Sequence, residues 1–177
     1  MSDNVTIRAA TEQDVPTIFG FIRALAQYER LEHEMVATEE GLRKTLFGPR
    51  PYAEVVFACI DTEPVGFALF FHNYSTFLGK PGIYLEDLFV RPESRGRGIG
   101  KRLLTWLART AVERNCGRLE WAVLDWNEPS IGFYKSLGAV LKHEWQIFRL
   151  TGDALTALAG AGTGADTGAG ANASAGS

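Results

Sequence analysis

Three glycines in five positions, Gly96, Gly98 and Gly100, stand among Arg95, Arg97 and Lys101, between an apolar run ending at Val90 and an amphipathic stretch starting near Gly98. Glycine removes the Cβ atoms that keep backbone N–H groups from converging. If the stretch that follows is a helix, those donors lie at its N-terminus, where partial positive charge favours an anion. With three cations added, the turn reads as a phosphate cradle, or more plainly as a solvated basic corner. Two familiar nucleotide versions fail on spacing. Gly-Lys-Ser/Thr after four spacers is absent, and a dinucleotide fingerprint needs glycine where Lys101 stands.

The other reactive side chains are dispersed. Glu86 and Asp87 are adjacent in the apolar run; on a regular strand they point to opposite faces and form no close carboxylate pair. Asn127 precedes Glu-Pro as a helix cap does. Tyr134 follows seven residues later, about two helical turns on and so on a similar face. Its plain structural account is a buried ring with a bonded hydroxyl. Neither Cys59 nor Cys116 sits in a motif with a base, so no acylated thiol is expected. His33, His72 and His143 lack ligand spacing, and no metal site is predicted.

The elements that must position these residues follow from periodicity. Val5 to Arg8 alternates as a short strand. Thr11 with Asp14 forms a shortened capping box before a helix expected from Glu12 to about Glu29. Thr38 caps a second helix reaching about Leu46, stopped by Gly48-Pro49. Val55 to Ile60 and Val65 to Asn73 read as a hairpin, and a loop from Ser75 leads to a strand from Ile83 to Val90. Gly98 to Asn115 is a helix with one apolar stripe through Ile99, Leu103, Leu104, Leu107 and Ala111. Arg118 to Leu124 is a strand, Asn127 opens a helix ending near Gly138, and Ala139 to Lys142 and Trp145 to Leu150 read as two last strands. The sum is an α/β (α+β) single domain with a mixed, mostly antiparallel sheet flanked by helices.

With 177 residues and 46% hydrophobic residues, one core is within reach without staples. Two cysteines exclude a disulfide scaffold, and with no secretory signal a reducing cytoplasmic setting is expected. No apolar run approaches the ~20 residues of a membrane span. Lys and Arg number 18 against 21 Asp and Glu, which argues against a general nucleic-acid surface. Averages hide a break, because residues 160–177 contain nothing larger than Asn and read as a disordered Gly/Ala-rich tail. The working domain is therefore 4–159.

Arg95-x-x-Gly98-x-Gly100, in this order of elements, resembles the pyrophosphate signature of the GNAT superfamily of N-acetyltransferases. Tyr84-Leu-Glu-Asp-Leu-Phe-Val, Arg95-Gly-Arg-Gly-Ile-Gly, Trp126-Asn-Glu-Pro-Ser-Ile-Gly-Phe-Tyr-Lys and Leu25-Ala-Gln-Tyr-Glu29 are similar to the spermidine/spermine (diamine) and thialysine acetyltransferase branch. The resemblance implies acetyl-CoA as co-substrate and no metal. It implies that the backbone of Leu88, Phe89 and Val90 holds the pantetheine arm. Arg95, Gly96, Arg97, Gly98, Ile99, Gly100 and Lys101 hold the pyrophosphate, with Asn127 beside the cofactor. Tyr134 becomes the acid that protonates the departing thiolate. Glu86 helps deprotonate the amine through water, and Tyr28, Glu29, Glu86, Asp87 and Glu144 serve the amine, with Glu32 and Glu34 as further acidic candidates. The segment Leu141 to Trp145 is shorter than in the polyamine enzymes, so polyamines and thialysine or lysine-like amines both remain open. The implied reaction is direct transfer in a ternary complex, in a homodimer without nucleic-acid or membrane partners. Two other readings stay open: an acetyl-CoA-binding regulatory module without turnover, and an acetyltransferase of protein or peptide amines.

Overall fold

An unbroken apolar run such as Val55 to Ile60 is stable as a strand only if both its faces are covered. A computed structural model, describing residues 4–161, covers both. The chain falls into two compact units divided after Trp126.

In the first unit five strands run in spatial order β1 (Val5–Ala9), β2 (Glu54–Ile60), β3 (Glu63–Ser75), β4 (Lys80–Val90) and β5 (Leu119–Trp121). The first three pairings are antiparallel and β4 pairs with β5 in parallel, the mixed sheet expected. Helix α1 (Val15–Glu29) lies on one face, where Phe21 stacks on Phe67 at 5.2 Å and meets Phe57 at 5.8 Å between ring centroids. Ile18, Cys59 and Phe89 join that cluster, as does Leu46 of α2 (Glu39–Phe47). Helix α3 (Ile99–Glu113) packs against the sheet through its predicted stripe, with Trp106 edge-on to Phe70 at 5.9 Å.

Helix α1 starts later than the capping box alone predicts. Thr11 and Asp14 do make the reciprocal bonds, but they close a 3-10 turn, Glu12–Asp14, before the α-helix begins at Val15. Arg8 of β1 grips Asp14 with two bonds of 2.8 Å, tying the start of α1 to the sheet edge and holding that carboxyl well below its usual range. At the other end Arg30 turns left-handed (φ 62°) and Leu31 N–H donates to Ala26 O at 2.8 Å. Tyr28 and Glu29 therefore sit in a capped last turn.

The second unit holds α4 (Glu128–Ser136), opened by Asn127 as expected, and α5 (Gly152–Gly160). The two strands expected at Ala139 to Lys142 and Trp145 to Leu150 do not form. Their alternation is real, but a strand needs a neighbouring edge, and the backbone bonds here are local, from Ala139 N–H to Tyr134 O and from Trp145 N–H to Lys142 O. Val140, Ile147 and Phe148 are left exposed. Helix α5 was not expected; Thr151 before it and Asp153 in its first turn are the signals overlooked. Of the predicted tail, Gly160 closes α5, and 162–177 lie outside the described residues.

Candidate active site

In the first unit, the candidate residues gather around the end of β4. Leu69 of β3 faces Asp87 and Phe70 faces Leu85, so Glu86 is an extra residue in a β-bulge. The bulge changes which face each side chain meets. Leu85 shares a face with Phe70 and hence with α3, whereas Asp87 joins Leu69, Phe67 and Phe89 on the face covered by α1. Glu86 remains exposed. The simple alternation that separated the two carboxylates is therefore broken, and they interact. Burial pushes the Asp87 carboxyl up to about 6, with further upward pressure from the charges of Glu86 and Glu29. Burial also raises Glu29 at the end of α1. Three residues read from sequence as amine contacts thus form one electrostatic group.

Strand β5 pairs with β4 only from Ile83 to Leu85, so β4 from Glu86 to Val90 runs past the end of that ladder. Arg91 N–H donates to Val65 O at 2.9 Å, and Phe89 pairs with Phe67. By the alternation of an antiparallel ladder, Leu88 and Val90 then turn their amide groups to the open side, while Phe89 gives its own to β3. Of the three residues expected to offer backbone to an arm, the geometry leaves Leu88 and Val90.

The turn after β4 has the shape expected of a cradle. Pro92–Ser94 makes a 3-10 turn with Ser94 buried, and Gly96 and Gly98 both adopt left-handed φ, 75° and 76°. Gly98 caps α3, whose first N–H groups have no helical acceptors and point back into the turn. Gly66 of β3 lets this corner close on the sheet, since a Cβ there would lie 3.1 Å from Phe89 O and 3.3 Å from Ile99 Cγ2. Arg97 and Lys101 are exposed at the turn, and Gly100 follows in the first turn of α3.

Arg95 is folded back. Its Nε donates to Val90 O at 3.0 Å, and its guanidinium carbon lies 4.7 Å from the Tyr28 ring centroid and 5.3 Å from that of Phe89. Tyr28 also meets Phe89 at 6.4 Å and Trp126 at 6.2 Å between centroids. Trp126 and the ring of Phe89 are site neighbours that sequence reasoning passed over. Trp126 enters the sequence reading only as the first residue of a stretch similar to the family's, and Phe89 only through its backbone.

In the second unit Asn127 is buried and caps α4, its Oδ1 accepting from Ser130 N–H at 3.3 Å. Tyr134 lies on α4 with its ring 5.5 Å from Phe133. Glu144 is exposed in the irregular stretch and pairs with Lys142, which lowers its carboxyl. Glu32 and Glu34 form an exposed turn after α1. Both thiols are free, Cys59 buried and Cys116 half-buried.

Comparison with known proteins gives consistent matches. Residues 17–139 match the Acetyltransferase (GNAT) family. The thialysine N-epsilon-acetyltransferase of Bos taurus is 41% identical, over 88% of this chain and 98% of its own. The L-ornithine N5-acetyltransferase NATA1 of Arabidopsis thaliana is 39% identical over 86% of each. Among solved structures, an integron cassette protein from the mobile metagenome of V. cholerae superposes with a TM-score of 0.75 at 30% identity, covering 90% of this chain and 98% of that one.

Proposed function

The chain belongs to the GNAT acetyltransferase family, and from that footing we propose that it moves the acetyl group of acetyl-CoA to a primary amine of a small aliphatic polyamine, thialysine or lysine-like substrate. One observation carries the reading: the half-buried Asp87 carboxyl, on the stretch of β4 that runs past β5, feels the charges of both Glu86 and Glu29, and Glu29 adjoins Tyr28. A cationic amine is the ligand such a group favours. Two similar enzymes are named for thialysine and L-ornithine, both small amines of this kind.

When bound, acetyl-CoA supplies an acetyl thioester whose carbonyl an amine can attack. The outward amides of Leu88 and Val90 suit its amide-bearing arm, and the left-handed glycines with Arg95, Arg97 and Lys101 suit its pyrophosphate. Asp87 and Glu29 attract the ammonium group, with Tyr28 beside them. Glu86, exposed at the bulge, takes a proton from the ammonium through water. The need is large: an amine of pKa ~10.4 is about one part in a thousand neutral at pH 7.4, a deficit of about 4 kcal/mol. Tyr134 gives a proton to the leaving thiolate, for which a phenol of pKa ~10 is a suitable donor. Transfer is direct, since Cys59 is buried in β2 and neither thiol has an adjoining base. The family resemblance assigns Asn127 to the cofactor and Glu144 to the amine in this proposal.

Acetyl-CoA consumption against thialysine, L-ornithine, lysine, spermidine, putrescine and a peptide panel tests the reading. Turnover is expected with the small diamines. Activity confined to peptide N-termini would overturn the small-amine assignment, and coenzyme binding without any turnover would make the chain a binding module.

The protein is also proposed to act as a cytoplasmic homodimer. Val140, Trp145, Ile147, Phe148 and Leu155 are all exposed, and apolar side chains left in water are what an interface between copies would bury. Light scattering should return about twice the 19.4 kDa chain mass; a monomeric mass would remove the proposal.

A further inference from the structure

We propose that Arg95 couples the two substrate sites, holding Tyr28 and the Val90 carbonyl together in the ligand-free protein and releasing both when the acyl donor binds. The inference rests on the acetyl-transfer reading above and adds a role for one residue within it.

The side chain of Arg95 is held from two elements at once. Helix α1 contributes the Tyr28 ring, 4.7 Å away, and β4 contributes the Phe89 ring and the Val90 carbonyl. That carbonyl is one of the outward-facing groups on the open end of β4. It is therefore an acceptor that an amide-bearing arm needs, and Arg95 already uses it. The guanidinium is likewise the first cation of the glycine turn, where a pyrophosphate needs it. Donor binding competes for both ends of the contact: an arm amide displaces Nε from Val90 O, and phosphate oxygens draw the guanidinium off its aromatic seat. A flat guanidinium on a ring is an attraction of modest strength, suited to a contact that must break on each cycle.

The consequence for the amine follows from where Tyr28 stands. It precedes Glu29, whose charge reaches Asp87, and its ring is covered by a cation while Arg95 stays in place. An incoming ammonium then meets a like charge at the mouth of its own site. If the closed arrangement holds about nine-tenths of the ligand-free molecules, apparent amine affinity falls about tenfold. Donor binding restores it, and by linkage the amine tightens donor binding by the same factor. Arg95 is a positioning residue in this scheme, not a catalytic one.

Calorimetric titration of the full chain with thialysine, alone and saturated with free CoA, tests the coupling. L-ornithine and spermidine serve as second and third probes. Wild type should bind the amine about five- to tenfold more tightly with CoA present. Arg95→Lys keeps a cation for the phosphate but cannot both stack flat and donate to Val90 O, so its ratio should fall to about twofold or less. Tyr28→Leu removes the aromatic seat and should lower the same ratio, whatever it does to absolute affinity. Tyr28→Phe keeps the seat and should preserve it. Equal amine affinity with and without CoA in wild type, or full coupling in Arg95→Lys, overturns the inference and leaves the acetyl-transfer reading standing. Failure of CoA itself to bind, or of every amine in its presence, defeats that reading and the inference with it.

Discussion

Tyr134→Phe is expected to lower kcat by about 10²-fold, the scale of a lost general acid. The ring contact with Phe133 at 5.5 Å is kept by phenylalanine, so α4 should retain its packing. The hydroxyl is removed, and the proton donor with it. The deficit therefore belongs to the transition state, and KM for amine and donor should move by less than about threefold. Steady-state kinetics across pH 6 to 9, with melting temperature as a folding control, would check it. An unchanged kcat would strip Tyr134 of the role. The effect should exceed that of Arg95→Ala, which loses ground-state binding and should raise the donor KM more than it lowers kcat.

Asp87→Asn has the second large effect, and it acts in two directions. The native carboxyl sits at about 6, against 3.8 when solvated, because burial, and then Glu86 and Glu29, oppose its ionisation. In the window between those values the native state binds more protons than the unfolded one, so stability falls as pH rises through it. Below the lower value nothing is lost; above the upper one the full cost is present. That cost is on the order of 2–3 kcal/mol. Asp87→Asn should therefore be more stable than wild type at pH 7.5, with the difference gone by about pH 3. Denaturant titrations at the two pH values would measure it, and an equal difference at both would refute the assignment. The same variant should lose affinity for the ammonium group. In wild type the bound cation should draw the Asp87 carboxyl back down, so amine binding near pH 6 should release a proton, visible as a buffer-dependent heat. Stability and substrate affinity are thus opposed at one carboxylate.

The sequence made the frame legible because each element there is locally consistent. The stripe from Ile99 to Ala111 appears as the buried face of α3, and Thr38 caps α2 through Gly41 N–H as its position predicts. Gly96 and Gly98 both adopt the left-handed φ that glycine permits at a tight corner. The bulge was not legible. Counting by twos puts Leu85 and Phe89 on one face, and only pairing with β3 shows them on opposite faces. A signal was present in Glu86-Asp87, two charges side by side in an apolar strand. The failed strands after Ala139 make the complementary point, for alternation specifies which side chains could be buried and not whether a partner edge exists. Arg95 was read as a phosphate ligand from its place before the glycines. Its seat on Tyr28 joins residues 67 positions apart in the chain, which spacing could not anticipate.

The three-residue ladder between β4 and β5 has a consequence outside catalysis. A strand end that lacks a neighbour is a template for foreign strands, the usual route by which sheet proteins aggregate. The residues proposed for the reaction would also guard this strand end. The bulge at Glu86 breaks the regular register, the charged Glu86 would lose water under an approaching strand, and Arg95 occupies the Val90 carbonyl. On the proposed reaction, the charges that serve the loaded chain would also keep the ligand-free one from pairing with itself.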